Sequence, residues 1–339
     1  MNQNNAKTTL VAKNVEVRPH CVVGIGASAG GLEALQQLLT FLPSDTGMAY
    51  VIIQHLSPDH KSLLVDILGK YTSMPVVEAK DGMKVERNTI YMLPPKYNIE
   101  IVSDTLYLSE YNHTHINHPI DIFLRSLASA YENKSVAVIL SGTGSDGTNG
   151  IRSIKEQNGV IIVQSPESAK FDGMPRNAIA TGFVDLVLSP DAIAREMSHI
   201  SASMMNVNKD IELTDNDLMN KVFSILQSVT NVNYTYYKQT TVLRRIERRI
   251  VITHNRNLKE YVTYLNNNPE EAKILGKEVL IGVTRFFRDP DYFDVLKERV
   301  VKKIVQEASP SDLIRVWVAG CSTGEEAYSI AILFAEVME

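Results

Sequence analysis

Three side chains in this 339-residue chain have the chemistry of a hydrolytic relay: Ser28, His55 and Asp146. A serine hydroxyl needs a neighbouring base to become a nucleophile, an imidazole is the usual base, and a carboxylate fixes the imidazole's tautomer and orientation. Each of the three follows a short apolar run. Gly24-Ile25-Gly26-Ala27-Ser28-Ala29-Gly30-Gly31 closes the run 21–26, Gln54-His55 closes 48–54, and Ser141-Gly142-Thr143-Gly144-Ser145-Asp146-Gly147 follows 136–140. The first segment matches G-x-S-x-G, a tight strand-to-helix turn that exposes the serine at a helix N-terminus. Amide N–H groups there can stabilise a developing oxyanion. A second reading satisfies the same letters: glycines that only let a strand and a helix pack closely, with Ser28 as an N-cap. The residues alone leave the two open. The segment also reads as G-x-G-x-x-x-G, a relative of the dinucleotide fingerprint, which wants an acid at the end of the second strand. Gln54 and His55 stand there and no arginine is at hand for a 2′-phosphate, so an NAD(P)-binding oxidoreductase is kept only as a rival.

For these residues to meet, the runs must be neighbouring strands ending at one edge. Strands are expected at 21–26, 48–54, 136–140, 160–163 and 183–188, alternating with helices at 31–41, 57–71, 119–131, 148–157 and 191–204; hairpin texture covers 89–109. Ser57 and Pro58 suit the start of the second helix. This alternation means an α/β fold with a mostly parallel, doubly wound sheet, whose sites lie beyond the carboxyl ends of the strands. The order Ser, His, Asp differs from the Ser, Asp/Glu, His order of α/β-hydrolases. Residues 1–18 read as a disordered lead-in and 205–214 as a polar linker, after which the texture is all-helical: 215–230, 240–254, 258–266, 269–281 and 290–306. One strand (313–319), a glycine loop and a last helix (325–339) follow.

Composition narrows the class. At 44% hydrophobic and 22% charged residues the chain is neither disordered nor fibrous. A net charge of −5 carries no global signature of nucleic-acid binding. Two cysteines near opposite ends exclude a disulfide framework and fit a reducing compartment. With no secretory h-region and no apolar run of about 20 residues, a cytoplasmic protein without membrane insertion is expected. His113, His115 and His118 invite a metal reading, but their loop offers no carboxylate or cysteine at ligand spacing before Asp121, so no metal is expected.

The first two hundred residues resemble the chemotaxis receptor methylesterases (CheB). The segments that carry this are VVGIGASAGGLEAL (22–35), VIIQHLSPDH (51–60), HPIDIFLRSLA (118–128), VAVILSGTGSDGTNGI (136–151) and FDGMPRNAIATG (171–182). The resemblance implies Ser28 as nucleophile, His55 as base and Asp146 as the acid that orients it, acting without cofactor on glutamate methyl esters of chemoreceptor helices, with glutamine deamidation in some members. The chain departs from common members at Ala29, where many have Thr, and at Thr143, where many have Met. The 19 residues before His20 are too few for the receiver domain with which the usual enzyme begins, so phosphorylation-driven activation in that form is not expected.

Two features of the helical part point to binding. Lys238, Arg244, Arg245, Arg248, Arg249 and Arg256 place a basic stripe opposite Val242, Ile246 and Ile250. A solvated face and a surface for an acidic partner both fit it. Near the end, Gly320-Cys321-Ser322-Thr323-Gly324-Glu325-Glu326 opens a helix as a nucleotide cradle would, but it is no P-loop. The two glutamates disfavour phosphate and suit a ligand with cationic and hydroxyl groups, such as S-adenosylmethionine. TTVLRRIERRI (240–250), VTRFFRDPDYF (283–293) and RVWVAGCSTGEEAYSIAI (315–332) resemble the chemotaxis receptor methyltransferases (CheR). That resemblance implies a small all-α domain followed by the first βα unit of a Rossmann-like domain. It also implies S-adenosylmethionine near Thr284, Arg288, Gly320, Cys321, Glu325 and Glu326, and a basic helix that docks on acidic receptor helices.

The expected organisation is a lead-in (1–18), a methylesterase domain (19–204), a linker (205–214), a helical docking domain (215–308) and an incomplete S-adenosylmethionine domain (309–339). The twenty residues from Gly320 to Glu339 suffice for one loop and one helix. Methyl transfer is therefore expected to be inactive, and the Ile330, Leu333, Phe334 and Val337 stripe to be loosely held or packed against the helical domain. A catalytically silent receptor-docking adaptor is the second rival.

Overall fold

The computed structural model describes residues 19–55, 63–111, 117–210, 216–280, 286–309 and 312–338, with side chains described only to Met204 in the stretch ending at 210. The chain divides into two compact units, 1–275 and 276–339.

In the first unit the apolar runs become strands of one parallel sheet. They are β1 (Val22–Ala27), β2 (Ala49–Gln54), β3 (Val76–Glu78), β5 (Thr89–Met92), β8 (Ser135–Ile139), β9 (Val160–Gln164) and β10 (Leu186–Leu188), in the spatial order β10-β9-β8-β1-β2-β5-β3. A small antiparallel sheet holds β4 (Met83–Lys84), β6 (Tyr97–Val102) and β7 (Thr105–Glu110) in the order β4-β7-β6. The helices of the sheet region are α1 (Gly31–Phe41), α2 (Leu64–Leu68), α3 (Pro119–Tyr131), α4 (Thr148–Glu156), α5 (Gly173–Ala180) and α6 (Pro190–Asp210). Of the helix expected at 57–71 the structure shows α2; Ser57 and Pro58 lie outside the described residues.

Strand periodicity divides the core between the two faces. Val23, Ile25 and Ala27 of β1 join Leu35, Leu38, Ile193 and Met197 of α1 and α6 in one cluster, while Val22, Val51 and Ile53 join Ile120, Phe123 and Leu124 of α3 in the other. Gly24 and Gly26 lie under α3. A Cβ at Gly26 would sit 2.6 Å from Ile120, so glycine is what lets this helix lie on the strand.

Helices α7 (Asn216–Thr230), α8 (Gln239–Ile252), α9 (Leu258–Asn267) and α10 (Pro269–Val279) follow. The linker expectation fails in part: α6 continues to Asp210, because nothing after Met204 breaks a helix.

The basic stripe of α8 is a larger correction. Arg245, Arg248 and Arg249 are buried. Arg248 ion-pairs with Asp185 and donates from Nε to the Gly159 carbonyl at 2.9 Å, and Arg245 donates to the Lys155 carbonyl at 3.2 Å. Arg249 makes a two-pronged bond to Glu271, which also accepts from the Tyr261 hydroxyl. The helix has acids and carbonyls to satisfy on its charged side as well as apolar partners on the other, and three of its cations are spent on them. Lys238, Arg244 and Arg256 remain exposed.

The second unit contains α11 (Pro290–Leu296), a π-helical stretch (Lys297–Val301), α12 (Lys302–Glu307) and α13 (Glu325–Met338). Leu333 and Phe334 of α13 are buried with Val301, and Ile330, Val337, Phe293 and Leu296 pack around them. The apolar stripe of the last helix thus finds its partner in α11 and α12. The strand expected at 313–319 does not form. Strand amides need a neighbouring strand, and the described residues of this unit supply none; Trp317 is 92% exposed.

Candidate active site

β1 is flanked by β2 on one side and β8 on the other, so the chain winds away from it in both directions and a crevice opens at its carboxyl end. Ser28 is the next residue along β1. Its backbone N–H donates to the Ser141 carbonyl beyond β8 (3.0 Å), while the His55 N–H beyond β2 donates to the Ala27 carbonyl (3.1 Å). The serine is thereby held between the two loops that bear the histidine and the aspartate. Gly30 adopts φ +71°, the left-handed turn that starts α1.

His55 Nε2 meets Asp146 Oδ2 at 2.8 Å. The imidazole is 32% exposed and the carboxylate 4%. Asp146 also accepts the N–H groups of Ile120 (3.1 Å) and Asp121 (3.0 Å), the first free amides of α3 after Pro119. A helix N-terminus is a natural anion site, and here its two free amides hold the Asp146 carboxylate in place. With Nε2 engaged, Nδ1 is left for proton transfer. No hydrogen bond joins the Ser28 hydroxyl to His55, a looseness common in ligand-free sites. A cleft of about 340 Å³ runs from His55 and Gln54 past Leu93–Tyr97, Tyr111, Asn117 and Pro119.

The glycines of the elbow serve packing. A Cβ at Gly31 would fall 2.6 Å from Gln54 Oε1, and one at Gly30 would fall 2.7 Å from Ser141 Oγ. Gln54 Nε2 donates to the Ser28 carbonyl at 2.8 Å. Ser141 opens the loop that follows β8, and the sequence assigns it no role. Its buried hydroxyl donates to the Ala29 carbonyl (2.9 Å) and accepts the Phe171 N–H (3.0 Å), tying three loops of the rim together.

His118, Asp121 and Asp146 bring potential metal-ligand atoms within 4.8 Å of one another. Both carboxylates already accept N–H donors, from Ile120, Asp121 and Gly150 among others, an arrangement built for hydrogen bonding. His113 and His115 lie outside the described residues.

Of the residues expected around S-adenosylmethionine, Thr284 also lies outside the described residues. Arg288 follows a turn pinned to α13, where Phe287 N–H donates to Ser329 Oγ at 2.9 Å. Gly320 and Gly324 have φ +72° and +103° and shape the turn that contains Cys321; the Thr323 hydroxyl donates to Glu325, and Glu326 is exposed. The described members of this set, Arg288 and 320–326, belong to the same compact unit. The segment 313–318 forms no strand, so among the described residues no sheet stands behind the 320–326 turn.

A model of the CheB methylesterase family matches residues 23–197, more than half of the chain. The all-alpha domain of CheR methyltransferase matches 217–280 and the CheR SAM binding domain 282–339. A putative protein-glutamate methylesterase/protein-glutamine glutaminase of Leptospira interrogans is 36% identical over 172 residues, covering 50% of this chain and 89% of that protein. An uncharacterized 104.1 kDa protein of Rhodobacter capsulatus is 36% identical over 300 residues, 81% of this chain; this chain spans only 32% of that relative's length. Among solved structures, the Thermotoga maritima CheB methylesterase catalytic domain matches with a TM-score of 0.50 and 29% identity, over 53% of this chain and 98% of that one.

Proposed function

This chain belongs to the CheB methylesterase family, and from that premise we propose that it is a protein-glutamate methylesterase acting through Ser28, His55 and Asp146. The observation that carries the reading is the 2.8 Å His55–Asp146 bond at the strand edge where Ser28 emerges between them. Ser28 Oγ attacks the ester carbonyl and passes its proton to His55, whose imidazolium is stabilised by Asp146. The Gly31 and Gly142 amides already donate to the Ser28 and Phe171 carbonyls, so the oxyanion donors are assigned to the neighbouring amides of Ala29 and Gly30 and of Thr143 and Gly144. Methanol leaves with the proton from His55. Water, activated by the same imidazole, then cleaves the acyl-enzyme and returns glutamate and free serine. With ammonia as leaving group the same steps deamidate glutamine, in keeping with the double name of the Leptospira relative.

The substrates we infer are glutamate methyl esters on cytoplasmic chemoreceptor helices, and the site of action is the cytoplasm. No helix among the described residues is long and apolar enough to cross a membrane. The match of 282–339 to a CheR SAM binding domain supports S-adenosylmethionine as the ligand of that segment; the esterase steps need no cofactor.

The test is methanol release from a methylated receptor segment. Ser28→Ala should lower turnover at least about a thousandfold, and a fluorophosphonate probe should label Ser28 in the parent and nothing at that position in the variant. Parental turnover in Ser28→Ala would overturn the assignment, and an unlabelled, inactive parent would favour the adaptor rival.

A further inference from the structure

Helices α3 and α4 start without caps of their own. The N-cap of α3 is His118 and that of α4 is Gly147 (φ +96°), and neither makes a side-chain cap bond. Each helix borrows a carboxylate from the other's segment instead. Asp146, one residue before Gly147, takes the Ile120 and Asp121 amides of α3. Asp121, in the first turn of α3, takes the Gly150 amide of α4 at 2.7 Å and the Asn149 side-chain amide at 3.2 Å. Asp121 is 3% exposed. Gly150 packs so closely that a Cβ there would lie 3.1 Å from Asp121 Cα. The two acids thus form a reciprocal brace: whatever fixes the start of α4 fixes the loop that presents Asp146.

We propose that Asp121 is a positioning residue for the hydrolytic relay, setting the pose of Asp146 and through it the orientation of His55. The role rests on Ser28, His55 and Asp146 being that relay. It differs from a general packing role because its effect is routed through one carboxylate. Where Asp146 no longer orients the base, Asp121 should have nothing left to contribute.

The experiment is a double-mutant cycle in the full chain, read as kcat and KM for ester hydrolysis. Asp121→Ala should lower kcat about ten- to a hundredfold with KM nearly unchanged, since misorientation of a base acts on the chemical step. Asp121→Asn should recover most of that loss, because its amide oxygen still accepts the Gly150 N–H and Asn149 can turn its amide to match. In an Asp146→Asn background, Asp121→Ala should cost less than about twofold. The exposed Asn149→Ala, which removes one donor to Asp121, is the milder probe if Asp121→Ala does not fold; it should cost a few-fold alone and nothing beyond Asp146→Asn. Full additivity of the two losses, or an unchanged kcat in Asp121→Ala, would overturn the positioning role. Parental activity in Asp146→Asn alone would show that the relay reading itself had failed.

Discussion

Asp146 and Asp185 are two buried carboxylates held by the same parallel sheet at opposite edges. Asp146 stands beyond the carboxyl ends of the strands and Asp185 just ahead of β10, at the amino edge. Both accept backbone N–H groups: Asp146 from α3, Asp185 from Ile161 at 2.9 Å. Both face a nitrogen base. The partner of Asp146 is an imidazole one-third exposed, able to gain and lose a proton beside a cleft. The partners of Asp185 are Arg248 and Lys155, both sealed from solvent. Burial of an acid with hydrogen bonds is therefore common to the proposed site and to a structural clasp. What separates them is whether the partner is an imidazole that substrate can reach or a pair of cations sealed inside the fold.

The largest expected break in this comparison comes from Asp146→Asn. The amide oxygen can still accept one of the two α3 N–H groups, but the side chain no longer stabilises the imidazolium or fixes its tautomer. The turnover number should fall by about 10³–10⁴ while thermal unfolding changes little. Rapid-quench and steady-state methanol assays read the first quantity and circular dichroism the second. A large loss of stability with turnover retained in the folded fraction would place Asp146 in the same structural class as Asp185.

The mirror experiment is Arg248→Met. It leaves Asp185 paired with Lys155 and should cost about 1–3 kcal/mol of unfolding free energy, less than the ~3–5 kcal/mol of a buried charge left with no partner. Hydrolysis per folded molecule should be unchanged. A urea midpoint equal to the parent's would show that the clasp does not couple α8 to the sheet. Replacing both partners, Arg248→Met with Asp185→Asn, should restore part of the loss. For the same reason, reversing Arg245 or Arg249 to Glu tests stability before it tests any docking. The cations left for an acidic receptor helix are Lys238, Arg244 and Arg256.

These contrasts show what was legible in the sequence. Ser28, His55 and Asp146 could be read because parallel strands deliver their following loops to one edge, so three short apolar runs were enough to bring three letters together. The helices 31–41 and 119–131 were legible from periodicity and from Pro119. Ser141 could be placed at the rim, but neither its bracing role nor that of Asp121 was legible, since both act through backbone amides and carbonyls whose direction no side-chain motif records. The arginines of α8 misled for a related reason. Helical spacing tells which residues share a face but not what lies opposite, and here the opposing surface offered Asp185, Glu271 and two carbonyls. The strand expected at 313–319 fails on the same ground: Val316 and Val318 give a strand-like texture, but a strand exists only with a neighbour to bond.

Glu247 sharpens the comparison with the smallest effect. It precedes Arg248 on α8 and is half-buried, and its strongest charge neighbour is Arg244. Burial raises its carboxyl above the ordinary range, and the attraction of Arg244 offsets only part of that. A raised acid in the folded state holds its proton more tightly than in the unfolded chain. Folding is therefore unpenalised below the unfolded carboxyl's range, and stability is lost as pH rises from there through the folded value, after which the loss is constant. Asp146, capped by amides, and Asp185, paired with two cations, have compensation that Glu247 lacks. Glu247→Gln removes the titration, so the variant should melt a few degrees above the parent at pH 7 and converge with it toward pH 4. Differential scanning calorimetry of both proteins across that window reads the effect directly. A variant that melts below the parent at pH 7 would show that the Arg244 attraction outweighs burial, and would make Glu247 a third member of the compensated set.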